Sequence, residues 1–403
     1  MKKSNVTCFV GREEVKVVPR EPFDSLVCEF LEEVSKEVLK DGTLKTYPDV
    51  VSFAFWIRRA NLQQQKEIYK HKLGDGVSLG RGLVFHIAPS NVPINFAFSF
   101  AFGLLAGNSN IVRVSSKNFT QVTLLCEKIQ WVMEQEKYQA IAQSNAIVGY
   151  ERNKEITDYF SGLCDVRVIW GGDAAIEEIR RSGLRPRSKE IVFADRYSIG
   201  MIAPKEILSM TEQERLELAE RFYKDTYLMD QNACSTPHMI FWKTDSDVQD
   251  ENQIKTAQKL FWTSVFNVAQ KYDLADSKVS DKFTDLCLYA ANTNIKGKVH
   301  RYENLLYVVD LEQVPEQITK LRGRFGMFYQ CHISDLNQIA PGVTEKVQTV
   351  AVAGVKKQEI VEFVMENHLT GIDRIVPFGS ALDIGLIWDG YDLISEMSRK
   401  ILY

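Results

Sequence analysis

The chain has 403 residues, of which 45% are hydrophobic and 25% charged. That is the composition of a folded protein of about two domains and excludes a disordered or collagen-like chain. Lys and Arg number 49 against 53 Asp and Glu, a formal charge of −4 with no dense basic block, which argues against nucleic acid and against adhesion to an anionic membrane.

Residues 1–75 predict a helical and hairpin preamble, with helices over 23–40 and 49–72 carrying apolar residues at helical spacing. The pattern then changes to alternating elements. A strand at 82–87 leads through the turn Ala88-Pro89-Ser90-Asn91-Val92-Pro93 into an all-apolar helix, 94–106, and a strand at 110–114. Strand, helix and strand within about 32 residues is the length of a βαβ unit. A helix over 117–136, a strand at 145–150, a helix from Asn153 and a strand at 166–170 continue it. Gly171-Gly172-Asp173 opens a further helix, and EIVFAD and SIGMIA read as strands. This alternation predicts parallel α/β architecture over 80–205. A long amphipathic helix (211–230) then reaches the turn Gln231-Asn232-Ala233-Cys234-Ser235, and a strand follows at 238–242. A helical segment (250–272), the strand NLLYVVD and an amphipathic segment (313–321) complete a second α/β unit, and the C-terminus reads as strand-like and then helical.

The stretch Gly82–Val112 has no Asp, Glu, Lys or Arg over 31 residues, long enough to raise the question of a membrane span. Pro89, Pro93, Asn91, Asn95 and Gly107-Asn108 break it into pieces too short to span, so it is read as buried core. The seven cysteines form no CxxC and the histidines no helical metal pair, so neither a zinc site nor a redox pair is expected. Free thiols point to a reducing, cytoplasmic compartment, and MKKSNVTCFVGREEVKVV lacks the apolar region of a signal peptide.

Three features have chemical readings beside plain structural ones. Gly171-Gly172 between a strand and a helix lets a phosphate approach the helix N-terminus, or is an ordinary turn. Cys234 sits in a polar turn, unlike the other six cysteines, so it is either a nucleophilic thiol or a turn cysteine. Asn91, between two prolines, is either a fixed donor to an oxyanion or the cap of the helix beginning near Ile94. Phe96, Phe98, Phe100 and Phe102 either line an acyl tunnel or pack in the core, and spacing by two around a helix favours the core.

The order of PSNVP, strand-Gly-Gly-helix and turn cysteine resembles the aldehyde dehydrogenase superfamily. AGNSNIVRVSSK and VPFGSA are similar to two further segments of it. FHIAPSNVPINFAFSFAFGLLAGNSNIVRVSSKNF, DQNACSTP, TEKVQTVAVAG and RIVPFGSALDIGLIWDGYDLISEMSR resemble one branch, the long-chain acyl-CoA reductases. That branch includes the reductase subunit of the bacterial luminescence fatty acid reductase complex. The resemblance spans about 80–403, with 245–320 poorly marked.

It implies an aldehyde-dehydrogenase-like, three-layer αβα fold, with a Rossmann-type cofactor domain and an α/β catalytic domain. The expected division is 1–228 for the N-terminal helices and NADP-binding domain and 229–385 for the cysteine domain. A C-terminal helix (386–403) is expected to return to the cofactor domain or to an oligomer interface. The implied activity is NADPH-dependent reduction of a fatty acyl-CoA to the aldehyde, with Cys234 as nucleophile and Asn91 at the oxyanion. Arg113, Ser115, Ser116, Lys117, Gly171 and Gly172 are expected at the cofactor. Arg113 and Lys117 either meet a 2′-phosphate or are solvated charges, with Ser116 then a helix cap. His238 serves acid–base work or packs in the core.

The superfamily's water-activating Glu falls near Val192, with Glu190 offset by two, which fits acyl exchange with a thiol in place of hydrolysis. Glu345 lies near the position of its second Glu. A homodimer or homotetramer is implied in the same way, and acyl supply by a partner acyl-protein synthetase stands as a rival to free acyl-CoA. An acyl-phosphate donor, as in glutamyl-phosphate reductases, and an inactive acyl-binding subunit are the alternatives.

Overall fold

The computed structural model describes residues 6–73, 76–117, 119–244, 250–292 and 297–403. It divides into two compact units, one running up to Ala194 and joined by Leu386–Tyr403, the other comprising Asp195–Gly385.

The first unit starts with β1 (Thr7–Gly11), α1 (Ser25–Lys40), α2 (Pro48–Trp56), α3 (Arg59–Leu73) and β2 (Val77–Gly80). Next come β3 (Leu83–Ile87), α4 (Asn95–Leu105), β4 (Ser109–Arg113), α5 (Thr120–Met133), α6 (Gln139–Ala142), β5 (Asn145–Gly149), α7 (Lys154–Leu163), β6 (Val166–Trp170), α8 (Asp173–Arg180) and β7 (Lys189–Phe193). Caps fix several starts: Asp24 accepts from Leu26 N–H and Val27 N–H at α1, and Asn153 accepts from Ile156 N–H at α7.

The single helix expected over 49–72 is two helices. The chain turns at Ile57–Arg58, where Ile57 is buried and Asn61 Nδ2 donates to the Trp56 carbonyl at 2.6 Å.

The six-stranded sheet has the order β1-β5-β4-β3-β6-β7. Strands β3 to β7 are mutually parallel and β1 is an antiparallel edge. The strand order reverses between β3 and β6, and in such doubly wound sheets the ligand crevice lies outside the carboxyl ends of the two strands at the reversal. Phe85, Ile111, Phe160 and Ile176 pack on one face under α7 and α8. On α4, all four phenylalanines are buried: Phe98 meets Phe53 at 5.1 Å and Phe102 meets Trp56 at 5.0 Å between centroids. They pack as core residues.

The second unit contains β8 (Tyr197–Ile202), α9 (Pro204–Ser209), α10 (Glu212–Thr226), β9 (Pro237–Lys243), α11 (Glu251–Ala269) and α12 (Asp276–Asn292). It continues with β10 (Gly297–Tyr302), β11 (Leu306–Leu311), β12 (Met327–Ile333), β13 (Val347–Ala353), α13 (Lys357–Glu366) and β14 (Arg374–Pro377). Its sheet has the order β10-β11-β12-β9-β8-β13-β14, parallel except for β10. Apolar clusters fill both faces, Ile199, Met239 and Phe363 in one and Phe222, Trp242 and Phe261 in the other. The result is three layers, helix–sheet–helix.

Two expectations about organisation change. The units part after Ala194, upstream of the expected 228. The reason is that β8 lies between β9 and β13, so α9 and α10 follow it into the cysteine-bearing unit. The C-terminal segment is no long helix: after β15 (Ile387–Trp388) and β16 (Tyr391–Asp392) come the short α14 (Leu393–Glu396) and β17 (Ser398–Ile401). β17 pairs antiparallel with β2, so 386–403 belongs to the first unit through a strand. The 313–321 segment holds only a short turn at Ile318–Lys320, because Ile318 and Leu321 reach the core from a loop.

Candidate active site

The carboxyl edge of the six-stranded sheet gathers most of the expected cofactor residues. β3 ends at Ile87 and runs into the Asn91 loop, β6 ends at Trp170 before Gly171-Gly172, and β4 ends at Arg113. These three strands are neighbours, with Ile87 in register with both Ile169 and Arg113. Asn91 and Gly171-Gly172 therefore follow the two strands that flank the reversal of strand order.

At Gly172 an added Cβ would meet nothing within 4 Å, and at Gly171 only Ala175 Cβ at 3.6 Å. Gly172 precedes α8 with φ −75° and makes no side-chain cap, so its backbone does not require glycine. What the pair provides is open space at a helix start. Asn91 is exposed. The residue preceding α4 is Ile94, with no side-chain cap, so Asn91 is not the cap of that helix.

Arg113 is half-buried; its Nη2 donates to the Tyr150 carbonyl at 3.3 Å and its guanidinium lies 4.5 Å from the Tyr150 ring centre. Its Nε is buried and has no hydrogen-bond partner, and the same holds for Asn95 Oδ1 in the first turn of α4. Buried polar atoms are nearly always satisfied. One donor and one acceptor without partners at the carboxyl edge of the sheet fit a polar ligand there. Ser115 Oγ accepts from Lys117 N–H at 3.1 Å, while Ser116 and Lys117 are exposed. Ser116 caps no helix, since Phe119 precedes α5.

Glu190 is unsuited to activating water. Its carboxylate meets Arg167 at 2.5 Å and Arg180 at 2.7 Å. Burial raises its pKa, but the two guanidiniums prevail and hold it below the usual carboxylate range. Val192 packs against the apolar cluster under α7 and α8. Glu345 is exposed in the second unit.

Cys234 lies in the turn between α10 and β9 and is half-buried. The turn begins with two left-handed non-glycine residues, Asp230 at φ 53° and Gln231 at φ 60°. Such conformations persist only where the surroundings hold them. Here Asp230 accepts from Lys278 Nζ at 3.0 Å and from the Tyr272 hydroxyl. The buried Gln231 amide donates to the Met327 carbonyl at 2.9 Å and accepts from Gly326 N–H at 2.6 Å. Ser198 Oγ donates to the Cys234 carbonyl at 2.8 Å, and Thr236 Oγ1 donates to the Asp225 carbonyl at 2.8 Å. The peptide carrying the thiol is thus tied to β8, α10 and β12. Burial pushes the Cys126 and Cys164 thiols up to about 12, and those of Cys28 and Cys331 up to about 11, which marks these four as inert core thiols.

His238 does not match an acid–base role. It is 3% exposed, and burial, reinforced by the Arg322 charge, pushes its pKa down to about 3. Nδ1 bonds the Gly323 carbonyl at 3.0 Å, which makes it the N–H donor, and the ring stacks on Tyr197 at 5.3 Å. It is a neutral core histidine.

Gln231, Ser198 and Asp225 escaped the sequence reading. Only the left-handed bend at Asp230-Gln231 has a local trace, in a polar run following an amphipathic helix.

Among the described residues no helix is long and apolar enough to cross a membrane, and no group of three or more His, Cys, Asp or Glu is placed to hold a metal. The family model described as acyl-CoA reductase (LuxC) matches residues 60–400. No curated protein sequence matches the chain. Among solved structures, aldehyde dehydrogenase 21 from Physcomitrella patens, in complex with its product succinate, superposes with a TM-score of 0.64 at 12% identity, covering 93% of this chain and 85% of that one. A point mutant of 1-pyrroline-5-carboxylate dehydrogenase from Thermus thermophilus gives 0.62 at 11%, covering 94% and 81%. Glyceraldehyde-3-phosphate dehydrogenase GapN from Methanocaldococcus jannaschii, complexed with NADP, gives 0.59 at 14%, covering 94% and 88%. The fold is that of the aldehyde dehydrogenases.

Proposed function

The chain belongs to the acyl-CoA reductase (LuxC) family, and on that premise we propose that it reduces a long-chain fatty acyl thioester to the aldehyde with NADPH, through a thioester on Cys234. The observation that carries this reading is the family match over 60–400, which includes both the Gly171-Gly172 crevice and the Cys234 turn.

Cys234 Sγ, as thiolate, attacks the acyl carbonyl carbon. Asn91 Nδ2–H and the Cys234 backbone N–H donate to the oxyanion that forms, as the resemblance implies. Collapse breaks the bond to the CoA sulfur, CoA leaves as thiolate and takes a proton from solvent, and the acyl group stays on Cys234. NADPH, held by Arg113, Ser115, Ser116, Lys117 and the Gly171-Gly172 turn, would supply the hydride that reduces the acyl carbon on Cys234. The hemithioacetal oxyanion then collapses, the carbon–sulfur bond breaks, and aldehyde and the Cys234 thiolate are released without a general acid.

Arg113 is assigned to the 2′-phosphate, with Ser115, Ser116 and Lys117 beside it, because a guanidinium binds phosphate through charge-assisted bonds. Gly171 and Gly172 admit the diphosphate. Glu190, held by two arginines, and Val192 leave that strand without a water-activating carboxylate, which supports transfer to a thiol over hydrolysis. His238 is assigned to packing behind the turn. A cytoplasmic setting and a homodimer or homotetramer complete the proposal, and acyl groups handed over by a partner acyl-protein synthetase are the alternative donor.

The test is the intact mass of wild type and Cys234→Ala after incubation with a long-chain acyl-CoA, without and then with NADPH. A Cys234-dependent acyl adduct that NADPH discharges as aldehyde is expected. No adduct from any acyl-CoA overturns acyl-CoA as the donor and shifts the reading to a partner-supplied acyl group or an inactive acyl-binding subunit.

A further inference from the structure

Beneath the crevice of the first unit lies a connected chain of buried polar side chains. His86, near the middle of β3, is fully buried; Nδ1 is 2.7 Å from Ser99 Oγ on α4 and Nε2 is 3.0 Å from Asn110 Oδ1 on β4. Asn110 Nδ2 donates to the Asn108 carbonyl at 2.9 Å and to Asn145 Oδ1 at 2.8 Å. Asn145 Nδ2 donates to the Ile141 carbonyl at 2.8 Å and to Ser144 Oγ at 3.1 Å. At the other end, Trp170 Nε1 donates to Ser99 Oγ at 3.0 Å.

The direction of every link follows. An indole N–H only donates and a carbonyl only accepts, so both ends are fixed. Both amide hydrogens of Asn110 are used, so its Oδ1 accepts and His86 carries its proton on Nε2. The bare Nδ1 then accepts from the Ser99 hydroxyl, whose oxygen accepts from Trp170. α4 comes close enough for this only because residue 103 is glycine: a Cβ there would lie 1.9 Å from Asn110 Oδ1 and 2.8 Å from His86 Nε2.

The chain ties together the two strands at the reversal, β3 and β6, and ends on Trp170, the last residue of β6 before Gly171-Gly172. Trp170 is partly exposed. One face of its ring is covered by Phe193, stacked at 3.6 Å and 14°. Burying such a row of polar side chains costs stability unless all are satisfied, and an apolar set would fill the same space without that requirement. What the polar chain adds is a fixed orientation for one indole at the mouth of the crevice.

We propose that Trp170 is a cofactor-contacting wall of the dinucleotide crevice and that Ser99, His86, Asn110 and Asn145 are positioning residues that set its ring. This inference rests on the reading that the crevice takes NADPH.

The test is calorimetric titration of NADPH into wild type, Ser99→Ala, Trp170→Phe and the double variant, with acyl-CoA KM and melting temperature measured alongside. Trp170→Phe keeps a ring on Phe193 but loses the N–H together with part of the indole, so it serves if Ser99→Ala fails to fold. Each single variant is expected to weaken NADPH binding about threefold to tenfold, the worth of one hydrogen bond. The KM for acyl-CoA should hold, and the double variant should match the worse single one, because both cut the same link. Unchanged NADPH affinity, additive losses, or parallel losses toward NADPH and acyl-CoA overturn the inference. Wild type that binds no NADPH fails the underlying reading as well and is distinguished by that.

Discussion

At the carboxyl edge of the six-stranded sheet, a side chain added at Gly172 would meet nothing, and Asn95 Oδ1 and Arg113 Nε are buried without partners. Around the Cys234 turn, Gln231, Ser198 and Thr236 each close a hydrogen bond onto backbone, and two left-handed residues are held in place. The first region leaves space and unmet hydrogen-bonding capacity, which suits a ligand that brings its own acceptors and donors. The second spends its polar groups on itself, which suits holding one side chain still. A dinucleotide comes and goes, whereas a nucleophile must wait in one position. Under the proposed function, the difference in construction matches that difference in task.

The contrast is sharpest if chemistry depends on the turn far more than on the edge. Cys234→Ala should lower aldehyde formation by about 10³-fold or more, since no other group replaces a covalent nucleophile; stopped-flow consumption of NADPH reads this directly. Asn91→Ala should cost roughly 10²–10³-fold in kcat, the usual loss for one oxyanion donor; near-normal turnover would remove Asn91 from the reaction. Arg113→Leu should lower the ratio of kcat/KM for NADPH over NADH by about 10- to 100-fold, leaving NADH kinetics close to wild type. Equal losses for both cofactors would place Arg113 in the fold and not at a phosphate.

Smaller effects test how rigidly the turn is held. Gln231→Leu leaves the Gly326 N–H and the Met327 carbonyl without their partner. It should destabilise the protein by about 1–3 kcal/mol in urea unfolding.

Asp225 offers a pH test. Its carboxylate accepts from Gly379 N–H at 2.6 Å and Ala381 N–H at 3.0 Å, and burial raises its pKa to about 6. The folded state then binds this proton more tightly than the unfolded chain does. Its stabilising contribution is full below about pH 4 and is lost as pH rises through about 6. The melting temperature of wild type should therefore fall relative to that of Asp225→Asn as pH rises across that window. A difference independent of pH would show that Asp225 does not titrate there.

Much of the first unit was readable from local pattern. The strands at 83–87, 109–113 and 166–170 stand within a residue of their expected places, because short apolar runs bounded by Pro, Asn or Gly leave little choice of element. Where local pattern misled, burial had another route. Ile318 and Leu321 repeat at a helical interval yet reach the core from a loop, and 49–72 breaks where Ile57 turns inward. His238 could be read as a reactive histidine until its neighbours were known, since nothing in the residues beside it announces Gly323, Tyr197 or Arg322.

By itself the sequence determined the alternation of strands and helices, the absence of metal and redox motifs, and the setting of Cys234 in a polar turn and Asn91 in a stiffened loop. Those depend on residues within one or two turns of each other. Tertiary structure alone decided the strand order that brings the ends of β3, β4 and β6 side by side, and the division after Ala194. It also decided the stitching of Gln231 to Met327 and the path from Trp170 through Ser99 to His86. Most of these contacts join residues tens of positions apart in the chain, and the free energy that selects them comes from burying polar groups that must find partners, a condition that no local window of sequence contains.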